Sequence, residues 1–394
     1  MNIIVPYHEG FDVAANFVVQ TVKALNDDSH NVHVIAFKYP KWFIAYFLGI
    51  NSPKCTFPNL GKNVIVFPFL TLIPNFEFFP ARVKSANKKL SILLLSIIIN
   101  CLHKPIIWSF DYEDLDLIKK VSKETITLYD CVDFFSSVNQ KIDAYIQKKE
   151  RKHIESVDLF FVNSNSLQKA KKNIRNDAIV VPLGFDLKEF AKPISTSMKN
   201  SILNTFTAIP KPRIGYIGNL TYRFDFKLLK NLMHQMPNVS FVFVGTYLPH
   251  PTEDAIKSTM LNLNRLKSFK NAYFLPIYKR TVLKFVLEQF TVCMIPYNKQ
   301  LKFNRYCFPM KLLEYFYVGK PIVSTHIHEL THYPKYIQIG NSVKEWHKII
   351  TKLIQLPWHE TYSKEQRKIA INNSWDRKVS KIVEIIKNEY IANK

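Results

Sequence analysis

Cysteine is scarce in this sequence, and the placement of the few cysteines excludes two kinds of cross-linked domain. No two of them form a C-x-x-C pair in a chain of 394 residues. We therefore expect neither a disulfide framework nor a zinc site of that type, but reduced thiols in a cytoplasmic protein. Met1 to Pro6 has the pattern of a short strand and not of a signal peptide, since no charged region precedes it. The five cysteines are Cys55, Cys101, Cys131, Cys293 and Cys307.

Acidic residues are also few. The chain has 31 Asp and Glu against 54 Lys and Arg, a net charge of +23. Such a field attracts nucleic acid, phosphorylated ligands or an anionic membrane leaflet. We expect no nucleic-acid partner, because the chain has no zinc-finger spacing, RNP-like motif or basic heptad region. A phosphate-rich substrate at a membrane surface explains the charge as well, and so does a lysine-rich composition that implies no partner.

A long hydrophobic run is missing too. The longest, Leu90 to Leu102, has thirteen residues, whereas a helix needs about 20 to cross a bilayer. The first interpretation is a buried helix packed on a sheet. The alternative is a helix lying in the membrane interface, with the lysines between Arg82 and Lys89 on anionic headgroups.

Apolar strands that alternate with helical patterns fill the first half of the chain. Asn2 to Val5 is a strand, 13–25 is a helix and Asn31 to Ala36 is the next strand. This opening is typical of a doubly wound α/β sheet, in which ligands meet the loops after the strands. The loop after the first strand carries His8, Glu9 and Asp12. These residues are candidates for the acceptor side of a site, or they are solvated loop residues and a helix cap.

Two carboxylates, Asp130 and Asp133, are predicted to follow the strand Thr125 to Tyr129. Catalytic and binding residues of α/β enzymes are found at this position, so Asp133 is a candidate catalytic residue and Asp130 a candidate for the acceptor side, although a turn and a helix cap also explain Asp130. A helix is predicted over Gln140 to Ser156, and Ser164 is predicted to cap the helix after the next strand.

The pattern restarts near residue 212, which predicts a second domain. We expect an N-terminal domain over 1–190, a linker over 191–211 because that stretch is rich in Lys, Ser, Thr and Pro, and a second domain over 212–375. A final amphipathic helix, 376–394, is expected to pack back on the first domain.

A helix start in the second domain has the features of an anion site. Pro309 suits a first helical position, Gly319 suits a left-handed helix end, and Pro321 prevents continuation. Lys311 lies on the first turn, where N–H groups and the helix dipole attract phosphate. Glu314, one turn later, can accept hydrogen bonds from a sugar diol. The alternatives are an exposed lysine and an exposed ion-pair partner.

Six motifs in order along the chain resemble those of bacterial glycosyltransferases of the GT-B fold. The resemblance is to the family-four-like enzymes of surface-polysaccharide and teichuronic-acid assembly, and it covers about residues 125–376. The motifs are Tyr129–Asp133, Val157–Ser164, Val181–Asp186, Ile214–Leu220, Ile295–Asn298 and Pro309–Tyr315.

This resemblance implies two Rossmann-like domains facing across a cleft, with a nucleotide-diphosphate sugar bound on the second. Glu314 matches the glutamate that holds the ribose hydroxyls, and Lys311 with the Pro309–Met310 backbone matches the diphosphate-binding helix start. Gly218 and Asn219 match the phosphate-side turn, and Arg223 falls near a second phosphate contact. The segment with Ile277 and Tyr278 matches the backbone that reads the base. No cofactor or metal is implied, since Lys and Arg can stabilise the leaving diphosphate.

One departure from the pattern concerns stereochemistry. Retaining members often carry two glutamates separated by seven residues, and Tyr306 stands where the first would be. We expect a hexosyl-type transferase, retaining in preference to inverting. An inverting reaction would need a base, for which Asp133 comes first, followed by Asp130, Glu9 and His8.

Two other functions fit the fold. One is a catalytically weakened protein that scaffolds polysaccharide assembly, which Tyr306 and the low count of nine glycines favour. The other is a nucleotide-sugar 2-epimerase, although the histidines and acids that it would need are not evident. The expected acceptor is lipid-linked or a glycan, and peripheral attachment to the inner face of the membrane is expected.

Overall fold

Two parallel sheets organise the chain, each in its own compact unit. Unit 1 contains 1–183 and 375–394, and unit 2 contains 184–374. The computed structural model describes residues 1–9, 16–26, 30–48, 59–74, 78–137, 139–247 and 253–388, so Asp12 and Cys55 lie outside the described residues.

The sheet of unit 1 has seven parallel strands in the order β3-β2-β1-β4-β5-β6-β7. Its strands are β1 (Asn2–Tyr7), β2 (Asn31–Trp42), β3 (Val64–Thr71), β4 (Pro105–Ser109), β5 (Ile126–Cys131), β6 (Leu159–Val162) and β7 (Ile179–Val180). Its helices are α1 (Phe17–Ala24), α2 (Phe43–Phe47), α3 (Ala81–Asn100), α4 (Leu115–Ile118), α5 (Gln140–Ser156), α6 (Asn165–Lys171) and, from the end of the chain, α16 (Trp375–Ile386).

The sheet of unit 2 has six parallel strands in the order β10-β9-β8-β11-β12-β13. Its strands are β8 (Arg213–Ile217), β9 (Ser240–Val244), β10 (Ala272–Leu275), β11 (Val292–Ile295), β12 (Ile322–Ser324) and β13 (Ile337–Ile339). Its helices are α7 (Leu187–Phe190), α8 (Thr196–Thr207), α9 (Phe226–Gln235), α10 (Glu253–Lys267), α11 (Arg280–Glu288), α12 (Lys302–Tyr306), α13 (Lys311–Val318), α14 (Val343–Gln355) and α15 (Glu360–Asn372).

Both sheets reverse their strand order at one place. In unit 1 β1 pairs with β2 on one side and β4 on the other, and in unit 2 β8 pairs in the same way with β9 and β11. The strands β4 and β8 at these points are mostly apolar and buried along their whole length, as expected for parallel strands covered on both faces. In such sheets the loops after the two diverging strands part and leave room for a ligand. The predicted pair of doubly wound domains is confirmed.

The structure differs from the predicted domain boundaries in the region of the linker. The first unit ends at Leu183, and much of 191–211 forms α8, whose Ile202 and Phe206 are buried in unit 2. The Arg213 side chain donates to the carbonyl oxygens of Phe206 and Ile209, which fastens this segment to the start of β8. Its polar composition suggested a linker because the exposed face of α8 is polar.

The predicted final helix belongs to unit 1. It is α16, which begins at Trp375, one residue before the predicted boundary, and ends at Ile386.

The prediction that Asp130 follows its strand is wrong, because β5 continues to Cys131. The predicted helix over Gln140–Ser156 is confirmed, as is the Ser164 cap, which accepts a hydrogen bond from the Leu167 amide at 3.1 Å.

The apolar run at Leu90 to Leu102 forms the second half of α3 and is only half buried. Ile92 and Ile99 pack into the core of unit 1. Other apolar residues of the helix face outward, so the expectation of a buried helix is wrong for that face.

Candidate active site

The helix start in unit 2 has the predicted form. The Leu312 amide donates to the carbonyl oxygen of Pro309 at 2.9 Å, so the first turn begins at Pro309 although α13 itself begins at Lys311. The helix ends at Gly319, whose φ of 66° lies in the left-handed region. Lys311 is therefore held on the first turn, where the helix dipole is positive.

Lys311 is half-buried between two tyrosine rings, and the alternative of an exposed helix lysine is wrong. Its ammonium lies 4.9 Å from the ring centroids of both Tyr216 and Tyr297, and it donates to the Tyr297 hydroxyl. A Cβ atom at Gly218 would lie 3.6 Å from the Lys311 Nζ, and the φ of Gly218 is +121°. The turn after β8 and the start of α13 thus come together, as the resemblance implies.

Arg223 approaches the same tyrosine from another direction. Its guanidinium lies 4.3 Å from the Tyr297 ring centroid and 4.4 Å from that of Phe303. Its Nε donates to the Asn304 side-chain oxygen at 2.8 Å, which fixes the plane of the guanidinium. Two cationic side chains therefore meet at Tyr297. This residue follows β11 at the switch point of unit 2, the place where the strand order of the sheet reverses.

The two cations also change the acidity of Tyr297. Burial favours the neutral phenol, but the charges of Lys311 and Arg223 outweigh it and lower the pKa of Tyr297 below its usual value. The same attraction would act on any anion placed here. The cluster can therefore neutralise a diphosphate, and the lysine on the dipole end of α13 would contribute most directly.

Glu314 lies one turn after Lys311 and is buried, so the alternative of an exposed ion-pair partner is wrong. Its Oε1 accepts a hydrogen bond from Arg280 at 2.9 Å, and Arg280 also lies 3.4 Å from Asp186. Burial raises the pKa of Glu314, while Arg280 and Lys311 oppose that rise. Arg280 thereby orients the carboxylate that the resemblance assigns to the ribose hydroxyls.

Other predicted residues of unit 2 line the carboxyl edge of the sheet. Asn219 is exposed, and its carbonyl oxygen accepts from the Tyr216 hydroxyl at 3.0 Å. Ile277 and Tyr278 follow β10, and Ile277 is exposed. Tyr306 ends α12, and its ring lies 5.2 Å from that of His328, which is half-buried.

In unit 1, His8 lies at the corresponding switch point. Its Nε2 is 2.6 Å from the buried carboxylate of Asp114, and its ring stacks on Phe37 with centroids 4.6 Å apart. Burial would lower the pKa of His8, but the charge of Asp114 and the hydrogen bond to it outweigh this and raise the pKa.

Asp114 connects His8 to a second buried histidine. The Ser109 hydroxyl donates to Asp114 at 2.8 Å and lies 3.0 Å from the His153 Nε2. Burial lowers the pKa of His153 to about 4, so this ring is neutral and serves as a packing and hydrogen-bonding group. The unit therefore presents one histidine to the edge of the sheet and keeps the other inside.

The remaining acidic candidates of unit 1 have different surroundings. Asp130 is fully buried, with its carboxylate 2.7 Å from the Lys378 ammonium of α16, so the structure places it in the core and not on an acceptor side. Asp133 is half-buried in the bend after β5. Glu9 accepts a hydrogen bond from Asn16 at 2.6 Å, and burial raises its pKa. Asp12 lies outside the described residues.

Sequence reasoning gave no role to several residues that build these sites. Tyr297 was part of a motif but was not selected, although its place directly after a central strand was a usable signal. Asn304, Arg280 and Asp186 were missed because each acts on a partner far away in the sequence. Asp114 was missed for the same reason, since it lies 106 positions from His8.

Across the described part of the chain, no group of three or more His, Cys, Asp or Glu side chains is arranged to hold a metal ion. Metal independence remains a prediction. None of the helices described is sufficiently long and apolar to span a bilayer.

Comparison with known proteins gives one curated relative and many similar structures. No protein-family model matches the chain. TuaH of Bacillus subtilis (strain 168), provisionally named a teichuronic acid biosynthesis glycosyltransferase, is 26% identical over 168 residues, which is 41% of this chain and 40% of TuaH. The similar region thus spans about two fifths of the length of that relative.

The similar solved structures cover nearly the whole chain. Anabaena HepE in complex with UDP and glucose has a TM-score of 0.70 at 16% identity, over 98% of this chain and 99% of HepE. Sucrose-phosphate synthase from Thermosynechococcus elongatus has a TM-score of 0.73 at 14% identity, over 100% of both chains. At these identities the likeness concerns the fold, which is the GT-B fold of glycosyltransferases, as the resemblance predicted.

Proposed function

We propose that the protein is a glycosyltransferase that moves a sugar from a nucleotide-diphosphate sugar to a lipid-linked or glycan acceptor in the synthesis of cell-surface glycans. The observation that carries the proposal is the convergence of Lys311 and Arg223 on Tyr297, with the Gly218 turn beside Lys311. Such an arrangement suits a diphosphate leaving group. The GT-B fold and the similarity to TuaH support the same reaction class.

The proposed reaction depends on the charges that develop as the sugar is transferred. Cleavage of the bond between the anomeric carbon and the phosphate oxygen builds negative charge on the diphosphate and positive character on the sugar. Lys311 and Arg223 stabilise the diphosphate, and the dipole of α13 adds to them. Glu314, held by Arg280, accepts hydrogen bonds from the ribose hydroxyls, and the backbone at Ile277 and Tyr278 contacts the base.

We further propose a retaining, metal-independent transfer of a hexosyl group. With retention, the leaving phosphate takes the proton of the acceptor hydroxyl, and the protein supplies cations instead of a base. Tyr306 and its neighbour His328 are assigned to the side of the donor sugar. With inversion, Asp133 or the His8–Asp114 pair would serve as the base.

The acceptor side is assigned to unit 1 and the protein to the cytoplasmic face of the membrane. UDP and UDP-glucose are the first ligands to test, because the HepE structures contain them. A thermal-shift titration measures binding, because a ligand that binds only the folded state raises stability by mass action.

The central test is the substitution Lys311→Ala. We expect turnover to fall at least about tenfold, because a cation is lost where negative charge develops. Lys344→Ala is the matched control, since Lys344 is an exposed lysine on the first turn of α14 in the same unit. Unchanged turnover in a folded Lys311→Ala protein would remove this lysine from the mechanism.

Product analysis distinguishes the alternatives. Nucleotide binding without turnover with any acceptor would favour a scaffold. Conversion of the donor sugar in the absence of acceptor would favour an epimerase. Loss of nucleotide binding in Glu314→Ala, with transfer in the wild-type protein, supports the proposed reaction.

A further inference from the structure

A cavity of about 430 Å³ opens at the carboxyl edge of the unit 1 sheet, outside the cluster assigned to the donor. It lies between the second halves of β2 and β3, the residue directly after β1 and the first half of α3. Lys38, Lys84 and Lys88 line it, together with His8, and none of its described lining residues is acidic. Three carboxylates lie near these groups: Glu113 is 3.8 Å from Lys88 but closer to Lys149, at 2.6 Å, Asp114 is 2.6 Å from His8, and Glu9 interacts electrostatically with Lys38. The charged side chains that line the cavity itself are all basic.

The wall of the cavity beside His8 is aromatic. The Phe37 ring stacks on the His8 ring at 4.6 Å and on the Phe69 ring at 4.3 Å, so three flat groups form a continuous surface. Asn87, buried on α3, accepts from the amides of Leu72 and Ile73, which ties the helix to the end of β3. The cavity is thus held by hydrogen bonds on one side and by stacked rings on the other, and it combines cations with apolar surface.

Helix α3, which supplies two of these lysines, exposes apolar side chains although its covered face includes polar ones. Its inward face includes Asn87, Ser91 and Ser96, all buried. Its outward face carries Leu90, Ile97 and Ile98, which are 52%, 51% and 60% exposed. A surface helix of a globular protein usually carries polar side chains on its outward face.

The short helix α2 adds to the exposed apolar surface. Phe47 at its end and the following Leu48 are each 66% exposed. Exposed apolar side chains in this number indicate a surface that meets lipid or another apolar partner. The basic residues in the first half of α3 favour an anionic lipid interface.

We propose that the lysine-lined cavity of unit 1 binds the phosphate or diphosphate group of a lipid-linked acceptor, whose hydrocarbon chain lies along the exposed face of α3. The identification of this lipid as the acceptor rests on the proposed glycosyltransferase function. Three lysines complement a phosphate monoester or diphosphate, the aromatic wall accepts the first carbons of the chain, and α3 joins the headgroup site to the apolar surface. A neutral glycan would use neither the charge nor the apolar face.

The test is flotation with vesicles of neutral phosphatidylcholine that contain a few mole per cent of hexadecyl phosphate. The full-length protein is expected to float with them and not with pure phosphatidylcholine. Excess inorganic pyrophosphate should release it, since pyrophosphate presents the same group without a chain. Vesicles with phosphatidylglycerol at equal surface charge provide the comparison with a diffuse anionic surface.

Two double variants of equal charge separate the cavity from the general basic field. Lys84→Gln with Lys88→Gln removes two cavity lysines, and we expect at least about tenfold weaker binding to hexadecyl phosphate vesicles, because two charge-assisted hydrogen bonds are lost. Lys62→Gln with Lys119→Gln removes two exposed lysines of unit 1 that neither line the cavity nor lie on α3. This control should bind almost normally. Equal losses in the two variants, or no preference for hexadecyl phosphate over phosphatidylglycerol, would overturn the proposal.

The exposed face is tested by Leu94→Gln with Ile98→Gln, two exposed positions at which folding should be preserved. Flotation should fall while inhibition of flotation by pyrophosphate persists, and unchanged flotation would refute the role of α3. UDP binding by thermal shift is measured on every variant. If wild-type protein binds no nucleotide but the cavity lysines still matter for flotation, the proposed function fails and the lipid-phosphate site remains.

Discussion

Tyr297 joins the two cations that the sequence had placed near a diphosphate. Lys311 and Arg223 are 88 positions apart, and their relation is visible only because both contact this ring. The sequence identified them separately, one from a helix start and one from a family pattern. It did not identify the residue between them, because a tyrosine after a strand has many uses.

Asp111 illustrates how the fold changes a single carboxyl group. It caps the short turn after β4, where its Oδ1 accepts from the Glu113 amide at 2.8 Å. Burial and then the charge of Asp114 raise the pKa of Asp111 to about 6, with His8 opposing. The folded protein therefore holds this proton more tightly than the unfolded chain does.

The consequence for stability has a definite sign. Because the folded pKa is above the unfolded value, Asp111 reduces stability progressively as the pH rises from near its ordinary value towards 6, and the full cost remains at neutral pH. Asp111→Asn keeps the cap and cannot ionise. We expect it to gain about 1 to 3 kcal/mol near pH 7 and to be neutral near pH 4.

Urea unfolding at the two pH values measures this difference. Asp116→Asn, at a more exposed aspartate on the adjacent helix, serves as the control and should change little. An Asp111→Asn protein whose stability follows the wild-type pH dependence would contradict the prediction.

The sequence predicted more about helix α13 than about helix α3. The bounds of α13 were marked by Pro309 and Gly319, which act through local backbone geometry. A side chain at Gly319 would meet Ser363 of α15 at 2.6 Å, so the glycine also permits close packing. For α3, an apolar run predicts a helix but not which face is covered, since that depends on the strands beside it.

Helix α16 is bound to unit 1 by a buried ion pair. Lys378 and Asp130 have 2% and 0% exposed side chains, and 248 positions separate them. Lys378→Met alone should destabilise the protein by about 3 to 5 kcal/mol, because a buried carboxylate loses the cation that pairs with it. Adding Asp130→Asn should restore most of that loss.

Denaturation of the single and double variants forms a cycle that isolates the pair. Turnover of the double variant adds a second readout. If Asp130 contacted an acceptor, as the sequence suggested, the double variant would be stable but inactive. Retained turnover would agree with a structural role.

The two sheets share one strand order, and the described donor residues all belong to unit 2. Gly218, Arg223, Lys311 and Glu314 lie between residues 184 and 374. We expect a fragment of 184–374 to fold cooperatively and to bind UDP about as well as the full chain. Calorimetric titration with UDP measures this, and a folded fragment that does not bind would mean that unit 1 supplies essential contacts.

The complementary fragment, residues 1–183, should need the C-terminal helix α16 in order to fold. Val379, Ile382 and Ile386 of α16 are buried and belong to unit 1. Each contributes about 1.5 to 3 kcal/mol when buried. Residues 1–183 alone are therefore expected to lack a cooperative transition, and addition of 375–394 should restore it.

Much of the fold could be predicted from the sequence because it depends on residue patterns that are local in the chain. Alternation of apolar strands with helices predicted two doubly wound domains, and caps such as Ser164 and Gly319 marked helix ends. The prediction of a linker over 191–211 was wrong because this polar stretch contains helix α8, in which two residues, Ile202 and Phe206, are buried. Composition averages over a segment, whereas burial depends on individual side chains.

The chain alone determined the residue types and their order: a lysine and a glutamate one turn apart after Pro309, an excess of positive charge, and an apolar run too short to span a membrane. Tertiary structure decided which of these meet. It put Arg223 and Lys311 against Tyr297, enclosed Glu314 with Arg280, withdrew Asp130 into the core and turned the apolar side of α3 outward. The physical reason is that charge pairing and burial act over distances in space, and residues that are paired in space, such as Asp130 and Lys378, lie as far as 248 positions apart in sequence.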